Sequence, residues 1–182
     1  MIGLQGLDRG SFPRTAALLV SPLQQMIADV AVAAASPLDR RHRRVASALL
    51  PYLDQQDLLR DVATPCSPDR YVRHLLHAAE DHTILALVWR PGQMSPVHGH
   101  RSWCALGIHR GSMTETQFTL GARGPVPRTC AQLEVGDISH APPDPGAIHR
   151  VANLGTETAI SIHVYGARYD RLGHEVNHVW AA

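Results

Sequence analysis

Three histidines carry the clearest metal-binding chemistry in the sequence. His98 and His100 flank Gly99, and His149 follows the turn-forming pair Pro145-Gly146. On a β-strand, side chains two positions apart point to the same face, so the imidazoles of His98 and His100 would project together. Imidazole is the commonest metal ligand in proteins, and His149 would complete a set of three nitrogen ligands. Two other interpretations stay open: the His-x-His pair lies on a solvent-facing strand, or His149 only caps its turn.

A second group of polar residues occupies one face of a later segment. Residues 161–165 alternate polar and apolar side chains, so Ser161, His163 and Tyr165 would share one face of a strand. A hydroxyl, an imidazole and a phenol in one row can form a hydrogen-bonded chain that orients Tyr165. The alternative is a barrel strand with an incidental polar face. A nearby metal site favours the chain, because buried polar groups need partners.

Two kinds of element must position these residues. Apolar residues recur at helical spacing over residues 16–35 and 45–59, and the breaker Ser36-Pro37 separates the two stretches. From Thr83 the sequence becomes β-prone, first over residues 83–89 and then in short segments divided by turns. Turns are expected at Pro91-Gly92, Gly111-Ser112, 121–127, Gly136-Asp137, 142–146 and 153–155. We predict a mainly β single domain over residues 1–182, with a helical N-terminal layer (1–70) and a small β-barrel (71–182).

Composition and charge narrow the class of protein. The net charge of +1 gives no reason to expect a nucleic acid partner, and the arginine cluster at residues 40–44 has no interleaved aromatic residues. Polar residues interrupt the apolar stretch 16–35, so we expect no membrane segment. The three cysteines, Cys66, Cys104 and Cys130, form no C-x-x-C pair. A reducing, cytoplasmic setting is therefore expected.

The spacing around the histidines resembles the two sequence motifs of the cupin superfamily, whose members are small β-barrels or jelly rolls with a metal in the mouth. The first motif runs from Gly92 through His98 and His100 to Gly111, and the second contains His149 and Asn153. Cys104 stands where the first motif normally has a glutamate ligand. Three neutral imidazoles leave the full charge of a divalent ion uncompensated, and such a site suits an anionic thiolate substrate.

These motifs together are similar to those of the cysteine dioxygenase family. The resemblance extends upstream to Tyr71-Val72-Arg73 and downstream to the Ser-x-His-x-Tyr strand that ends at Tyr165. It implies one ferrous ion per chain, a small thiol and O2 as reaction partners, and oxidation of L-cysteine to cysteine sulfinate. The resemblance assigns the metal to His98, His100 and His149, the substrate to Arg73, Tyr71 and Arg168, and catalytic roles to Tyr165, His163, Ser161 and Cys104.

Some features leave the substrate open. Arg73 favours cysteine, whereas Arg168 and Arg171 keep another small thiol acid, 3-mercaptopropionate or mercaptosuccinate, as an alternative. In animal members of the family, the residues equivalent to Cys104 and Tyr165 become joined by a thioether bond, which this sequence permits. Gly99 departs from the family by replacing a frequent aspartate. A non-catalytic binding cupin and a zinc cupin isomerase are rivals, and a monomer or small homo-oligomer is expected.

Overall fold

The computed structural model of the chain describes residues 20–172 and 177–180. Within these ranges an N-terminal helical segment precedes ten strands. The helices are α1 (Pro22–Ala34) and α2 (Leu38–Leu49), and short 3₁₀ turns cover Leu50–Tyr52 and Tyr169–Arg171. The strands are β1 (Val72–Ala78), β2 (Thr83–Trp89), β3 (His98–His100), β4 (Cys104–Arg110), β5 (Met113–Gly121), β6 (Gly124–Leu133), β7 (Ile138–Ala141), β8 (Asp144–Ala152), β9 (Ala159–Tyr165) and β10 (Asn177–Val179).

The strands form two five-stranded antiparallel sheets. One sheet has the order β1-β2-β9-β4-β7 and the other β10-β3-β8-β5-β6. Chain neighbours such as β2 and β3, or β8 and β9, therefore lie in different sheets, as in a jelly roll. This architecture confirms the predicted fold class, a mainly β barrel with helices before it.

The helical layer begins with a well-defined cap. The Ser21 hydroxyl accepts a hydrogen bond from the backbone N–H of Gln24, whose side chain bonds back to Ser21, and Pro22 takes the first helical position. The buried face of α1 consists of Met26, Val30 and Ala34, which recur every four residues. The predicted helix break at Ser36-Pro37 is confirmed. Residues 16–19 of the first predicted stretch lie outside the described residues.

The second helix differs from its prediction. It spans Leu38–Leu49, so it includes the arginine cluster and ends ten residues before the predicted boundary. Pro51 supplies no backbone N–H and favours termination, so the chain continues as a 3₁₀ turn and further turns up to β1. The side chains of Arg40, Arg43 and Arg44 are exposed, while Arg41 donates to the carbonyl of Ser36.

The helical layer packs against the sheet that contains β9. Buried residues of α1 and α2 share one apolar cluster with alternate residues of β2, β4 and β9. Leu53 presses on β4 so closely that a Cβ at Gly107 would lie 2.4 Å from its Cδ1 atom. Trp103 is part of this cluster. No helix of the described residues is long and apolar enough to cross a membrane.

The strand predictions are confirmed at β2 and corrected at β6. All seven residues of β2 are buried, and the strand has the predicted bounds. Residues 121–127, however, are not a long turn, because β5 and β6 pair up to Gly121 opposite Gly124. Pro125 and Pro127 fit in β6 because it is the edge strand of its sheet, where a missing N–H need not break a ladder bond.

Candidate metal centre

Two neighbouring strands of one sheet, β3 and β8, bring His98, His100 and His149 to one place. In the antiparallel pair β3–β8, His98 lies directly across from His149, and the ligand nitrogens of the three residues lie within 4.8 Å of one another. The Nε2 atoms of His100 and His149 are 2.9 Å apart. Two nitrogens in neighbouring positions on one first-row metal ion are expected about 3 Å apart when each bond is about 2.1 Å. The three histidines are buried, so neither the solvent-facing strand nor a simple turn cap describes them.

Backbone and side-chain partners orient two of the rings. The Nδ1 atom of His98 lies 2.9 Å from the carbonyl oxygen of Pro96, which can only accept a hydrogen bond. The Nδ1 atom of His149 lies 2.6 Å from the carboxylate of Glu115. Both imidazoles therefore carry the proton on Nδ1 and offer the lone pair of Nε2 to a metal.

Burial keeps His98 and His100 neutral. Desolvation is the main cause that lowers the pKa of His98 to about 4 and the pKa of His100 to about 2. The nearby His149 is the second cause for both residues. Neutral imidazole is the form that binds a metal, so His98 and His100 need lose no proton near pH 7.

Glu115 was not among the residues singled out in the sequence. Burial would raise the pKa of its carboxyl, but hydrogen bonds from His149 and Ser139 bring that pKa below its ordinary value. The Ser139 hydroxyl donates to the same oxygen at 2.9 Å. The only signal in the sequence is the alternation in β5, which places Glu115 on the same face as buried Met113.

The predicted hydrogen-bonded chain along β9 is present, and Trp89 extends it by one residue. Ser161 Oγ lies 2.8 Å from His163 Nε2, and His163 Nδ1 lies 3.0 Å from the hydroxyl of Tyr165. The indole N–H of Trp89 donates to Ser161 Oγ at 2.9 Å. Trp89 lies opposite Ala159 in the β2–β9 pair, a contact between distant segments that residue spacing does not reveal.

The two titratable side chains of this hydrogen-bonded chain, His163 and Tyr165, are both uncharged at neutral pH. Burial lowers the pKa of His163 to about 3, so its imidazole is uncharged at neutral pH. Burial, together with the nearby Cys104, raises the pKa of Tyr165, so its phenol stays protonated. A protonated phenol beside the histidines can donate a hydrogen bond into the centre.

A small cavity opens beside the three histidines, and we call it the first cavity. Its free volume of about 20 Å³ admits only a small group. Its lining residues are Tyr71, Arg73, Leu87, Trp89, Ser95, Pro96, His98, His100, Cys104, Ala105, Leu106, His149, Val151, His163, Tyr165 and Asn177. Polar side chains from three other strands thus converge beside the predicted metal ligands: Arg73 of β1, His163 and Tyr165 of β9, and Asn177 of β10.

Arg73 and Tyr71 stand together in this wall. The guanidinium donates to the Tyr71 hydroxyl at 3.0 Å and lies 5.5 Å from the centre of the Tyr71 ring. The Tyr71 ring in turn stacks on Trp89 at 4.1 Å. No carboxylate of a described residue pairs with Arg73, so its charge is available to a ligand.

Arg168 does not lie in the cavity wall with Arg73 and Tyr71. Its guanidinium forms ion pairs with Glu80 at 2.9 Å and Asp170 at 3.2 Å, and its side chain is half exposed. Arg168 is absent from the residues that line the first cavity. Its predicted contact with the substrate is therefore not supported, because two acidic neighbours hold the side chain outside the cavity. Of the other histidines, His140 lines a different cavity and His174 lies outside the described residues.

Cys104 and Tyr165 lie directly across from each other in the β4–β9 pair. Side chains at such positions are neighbours on one face of the sheet, and both of these side chains are buried beside the first cavity. Burial raises the pKa of the Cys104 thiol to about 12, so it is not a thiolate at neutral pH. A metal ligand role for Cys104 has no support, since the cluster of ligand atoms contains the histidines alone.

The structure gives a reason for Gly99. A Cβ atom at this position would lie 2.2 Å from the carbonyl oxygen of Pro145. The pairing of β3 with β8 shifts register between His98 and His100, and the backbone of β8 approaches Gly99 there. A side chain in place of Gly99 would push β8, and His149 with it, away from β3.

These observations agree with the comparison to known families. The family model for cysteine dioxygenase type I matches residues 12–174. The chain belongs to the cysteine dioxygenase type I family. Membership indicates thiol dioxygenase activity in general, and the three buried histidines fit a metal site.

One solved structure supports the fold, and two others are similar at lower TM-scores. A Klebsiella pneumoniae protein described as having a double-stranded β-helix domain is 21% identical, with a TM-score of 0.51, over 66% of this chain and 87% of that chain. The TT1209 protein of Thermus thermophilus is 22% identical over 60% of this chain and 94% of that chain, with a TM-score of 0.49. An oxalate decarboxylase of Lactobacillus farciminis is 17% identical over 66% of this chain and 34% of that chain, with a TM-score of 0.48.

Proposed function

We propose that the protein is an iron(II)-dependent cysteine dioxygenase that converts L-cysteine and O2 to cysteine sulfinate, with both oxygen atoms ending on sulfur. One observation carries the proposal: three buried imidazoles converge beside a small cavity lined by Arg73. Within residues 20–172 and 177–180, no carboxylate joins the three ligand atoms and none pairs with Arg73. The positive charge of Arg73 complements the negative charge of a carboxylate. A dication with neutral ligands likewise complements the negative charge of a thiolate.

The donor set fits ferrous iron. Imidazole nitrogens suit first-row divalent ions, and His98, His100 and His149 would hold such an ion by one nitrogen each. A ferrous ion held by these residues would lower the pKa of the substrate thiol and supply the redox chemistry that O2 requires.

Arg73 and Tyr71 would bind the substrate carboxylate. The planar guanidinium can form two parallel hydrogen bonds with a carboxylate, and its contact with Tyr71 limits its rotation. The cavity's small free volume favours a short thiol acid over a bulky one. This pair would fix the orientation of the substrate, which brings the thiol to the histidine side of the cavity.

Tyr165 would donate its phenolic proton toward the reacting sulfur and oxygen. Trp89 occupies one acceptor site of the Ser161 hydroxyl, which can then donate to Nε2 of His163. In that arrangement the Nδ1–H of His163 donates to the oxygen of Tyr165 and leaves the phenolic proton free for the cavity. His163 and Ser161 thus would hold Tyr165 rather than exchange protons with the substrate.

Cys104 would form a thioether with Tyr165 during turnover. Their direct opposition in the β4–β9 pair supports this reaction, in which an S–C bond forms and two hydrogens pass to O2 as the oxidant. The intact mass of the protein should fall by the mass of two hydrogen atoms after exposure to cysteine, iron and air. The same treatment of Cys104→Ala should leave the mass unchanged.

Oxygen uptake by the iron-loaded protein tests the substrate. We expect L-cysteine to be turned over faster, and with one sulfinate formed per O2, than 3-mercaptopropionate or mercaptosuccinate. Cysteamine, which lacks a carboxylate, should be a poor substrate because it offers nothing to Arg73. Faster and better-coupled turnover of either mercapto acid would replace cysteine as the substrate.

The same assay separates the rival classes. Iron without thiol-dependent oxygen uptake would indicate a non-catalytic binding cupin, and a preference for zinc would indicate different chemistry.

The three cysteines are free thiols, which supports the proposal of a reducing, cytoplasmic setting.

A further inference from the structure

We propose that Glu115 is a positioning residue that gives the metal centre the negative charge which its ligands lack. The carboxylate is not part of the cluster of possible ligand atoms but accepts the Nδ1–H of His149 at 2.6 Å. It is buried, and no arginine of the described residues pairs with it. The inference rests on the three-histidine metal site and not on the identity of the thiol substrate.

Strand pairing explains how a residue so far along the chain reaches His149. Gln117 of β5 lies across from His149 of β8, and Glu115 lies two residues away on the same face. Diagonal neighbours of this kind are close enough for long side chains to touch. Ser139, from the other sheet, donates to Glu115 and fixes the carboxylate from the opposite direction.

The expected effect on a bound metal follows from charge. A dication with three neutral imidazoles has a net charge of +2, and the carboxylate one hydrogen bond away reduces the charge of the whole assembly to +1. A carboxylate that accepts the Nδ1–H also makes Nε2 more basic and fixes the ring. The hydrogen-bond partners of this buried carboxylate are the His149 ring and the Ser139 hydroxyl, and a metal bound by His149 would add a compensating charge.

Glu115 lies away from the region that would hold substrate. It lines a second, larger cavity of about 420 Å³ and does not line the first cavity, although His100, Cys104, Leu106 and His149 border both. Glu115 therefore has no direct place in the wall of the first cavity, and its hydrogen bond to His149 links it to that cavity. This separation lets metal affinity be tested apart from carboxylate binding at Arg73.

The test is calorimetric titration of the metal-free protein with Co²⁺, without thiol or oxygen. Glu115→Gln keeps an acceptor of the same shape but removes the charge, and we expect it to weaken Co²⁺ binding about 10- to 100-fold. Ser139→Ala is the matched control, because it removes the other hydrogen bond but keeps the carboxylate, and we expect less than about a threefold loss. Equal losses in the two variants, or a Glu115→Gln affinity within twofold of wild type, would overturn the proposal.

A measurement on the wild-type protein covers the case in which Glu115→Gln does not fold. Long-range ¹H–¹⁵N spectra of the zinc-loaded protein should show His149 with its metal on Nε2 and a slowly exchanging, strongly deshielded proton on Nδ1. A metal on Nδ1, or an Nδ1–H that exchanges like a solvent-exposed one, would contradict the proposed contact. Both measurements omit substrate, so a failure of the cysteine dioxygenase proposal would leave them unchanged.

Discussion

Two cavities meet at the wall formed by His100, Cys104, Leu106 and His149. Arg73 lines the first cavity, whereas Glu115 and Arg128 line the second. The first contains the guanidinium of Arg73, which is exposed and has no acidic partner among the described residues. The second contains the carboxylate of Glu115, which is buried and hydrogen-bonded to a metal ligand and to Ser139.

This contrast suits two different roles around the candidate metal centre, ligand binding for Arg73 and an electrostatic effect on a bound ion for Glu115. A charge that must receive a diffusing ligand needs to be accessible, and an exposed arginine without a partner meets that need. A charge that tunes a bound ion acts best where water does not screen it, and a buried carboxylate meets that need. Substitutions on the two sides should therefore affect different measurements.

The largest expected effect comes from His149, which borders both cavities. His149→Ala removes one ligand and leaves Glu115 buried without its partner, so metal affinity should fall by more than the roughly 100-fold that a lost supporting residue costs. Metal content after dialysis measures this. His140→Ala is the control, because His140 lines only the second cavity. This variant should keep its metal. Full metal content in His149→Ala would show that the cluster is not the binding site.

Arg73→Ala should impair substrate binding and leave the metal in place. Loss of a charged partner for a carboxylate costs about 2–5 kcal/mol, so KM for L-cysteine should rise at least about 30-fold. Steady-state oxygen uptake together with metal analysis gives both quantities. Arg168→Ala is the matched control and should keep a normal KM, because Arg168 is paired outside the cavity. The reverse pattern would restore Arg168 as the substrate-binding arginine.

Tyr165→Phe should act on turnover rather than on binding. Removing one donor that acts in the transition state typically costs about 10²-fold in kcat, and the metal ligands are untouched. Tyr71→Phe provides the comparison, since it removes the hydroxyl that contacts Arg73 and should mainly raise KM. If both tyrosine variants changed KM alone, Tyr165 would belong to the substrate-binding group.

Acid should destabilise the metal-free protein in two steps. Burial lowers the pKa of His98 to about 4 and that of His163 to about 3, so the unfolded state binds protons below pH 6.5 that the folded state excludes. Stability should then fall with pH by about 1.4 kcal/mol per pH unit for each such histidine. The carboxyl pKa of Glu115 is also lowered, so its contribution should disappear only below about pH 4.5.

Urea unfolding of the metal-free protein at pH 7.5 and pH 5.5 measures the first step. His163→Gln should reduce the pH dependence by about one proton, because glutamine does not titrate. The same stability at both pH values would contradict the buried, neutral state of these histidines.

Strand alternation predicted only the parts of the site that depend on local spacing, and His149 and Arg73 were assigned from the motifs of the family resemblance. His98 with His100, and Ser161 with His163 and Tyr165, lie two residues apart, and the alternation of a strand alone places them on one face. Trp89 and Glu115 reach the site through pairing with distant strands, so spacing along the chain does not reveal them. Gly99 is explained only by the approach of Pro145.

The amino-acid sequence by itself determined the kinds of side chain available, the faces on which neighbouring residues lie and the family to which they belong. Only the tertiary structure decided which arginine enters the cavity, since Arg73 lies in its wall while Glu80 and Asp170 hold Arg168 outside it. The physical reason is that strand alternation follows from local backbone geometry, whereas the register between distant strands follows from how two sheets pack.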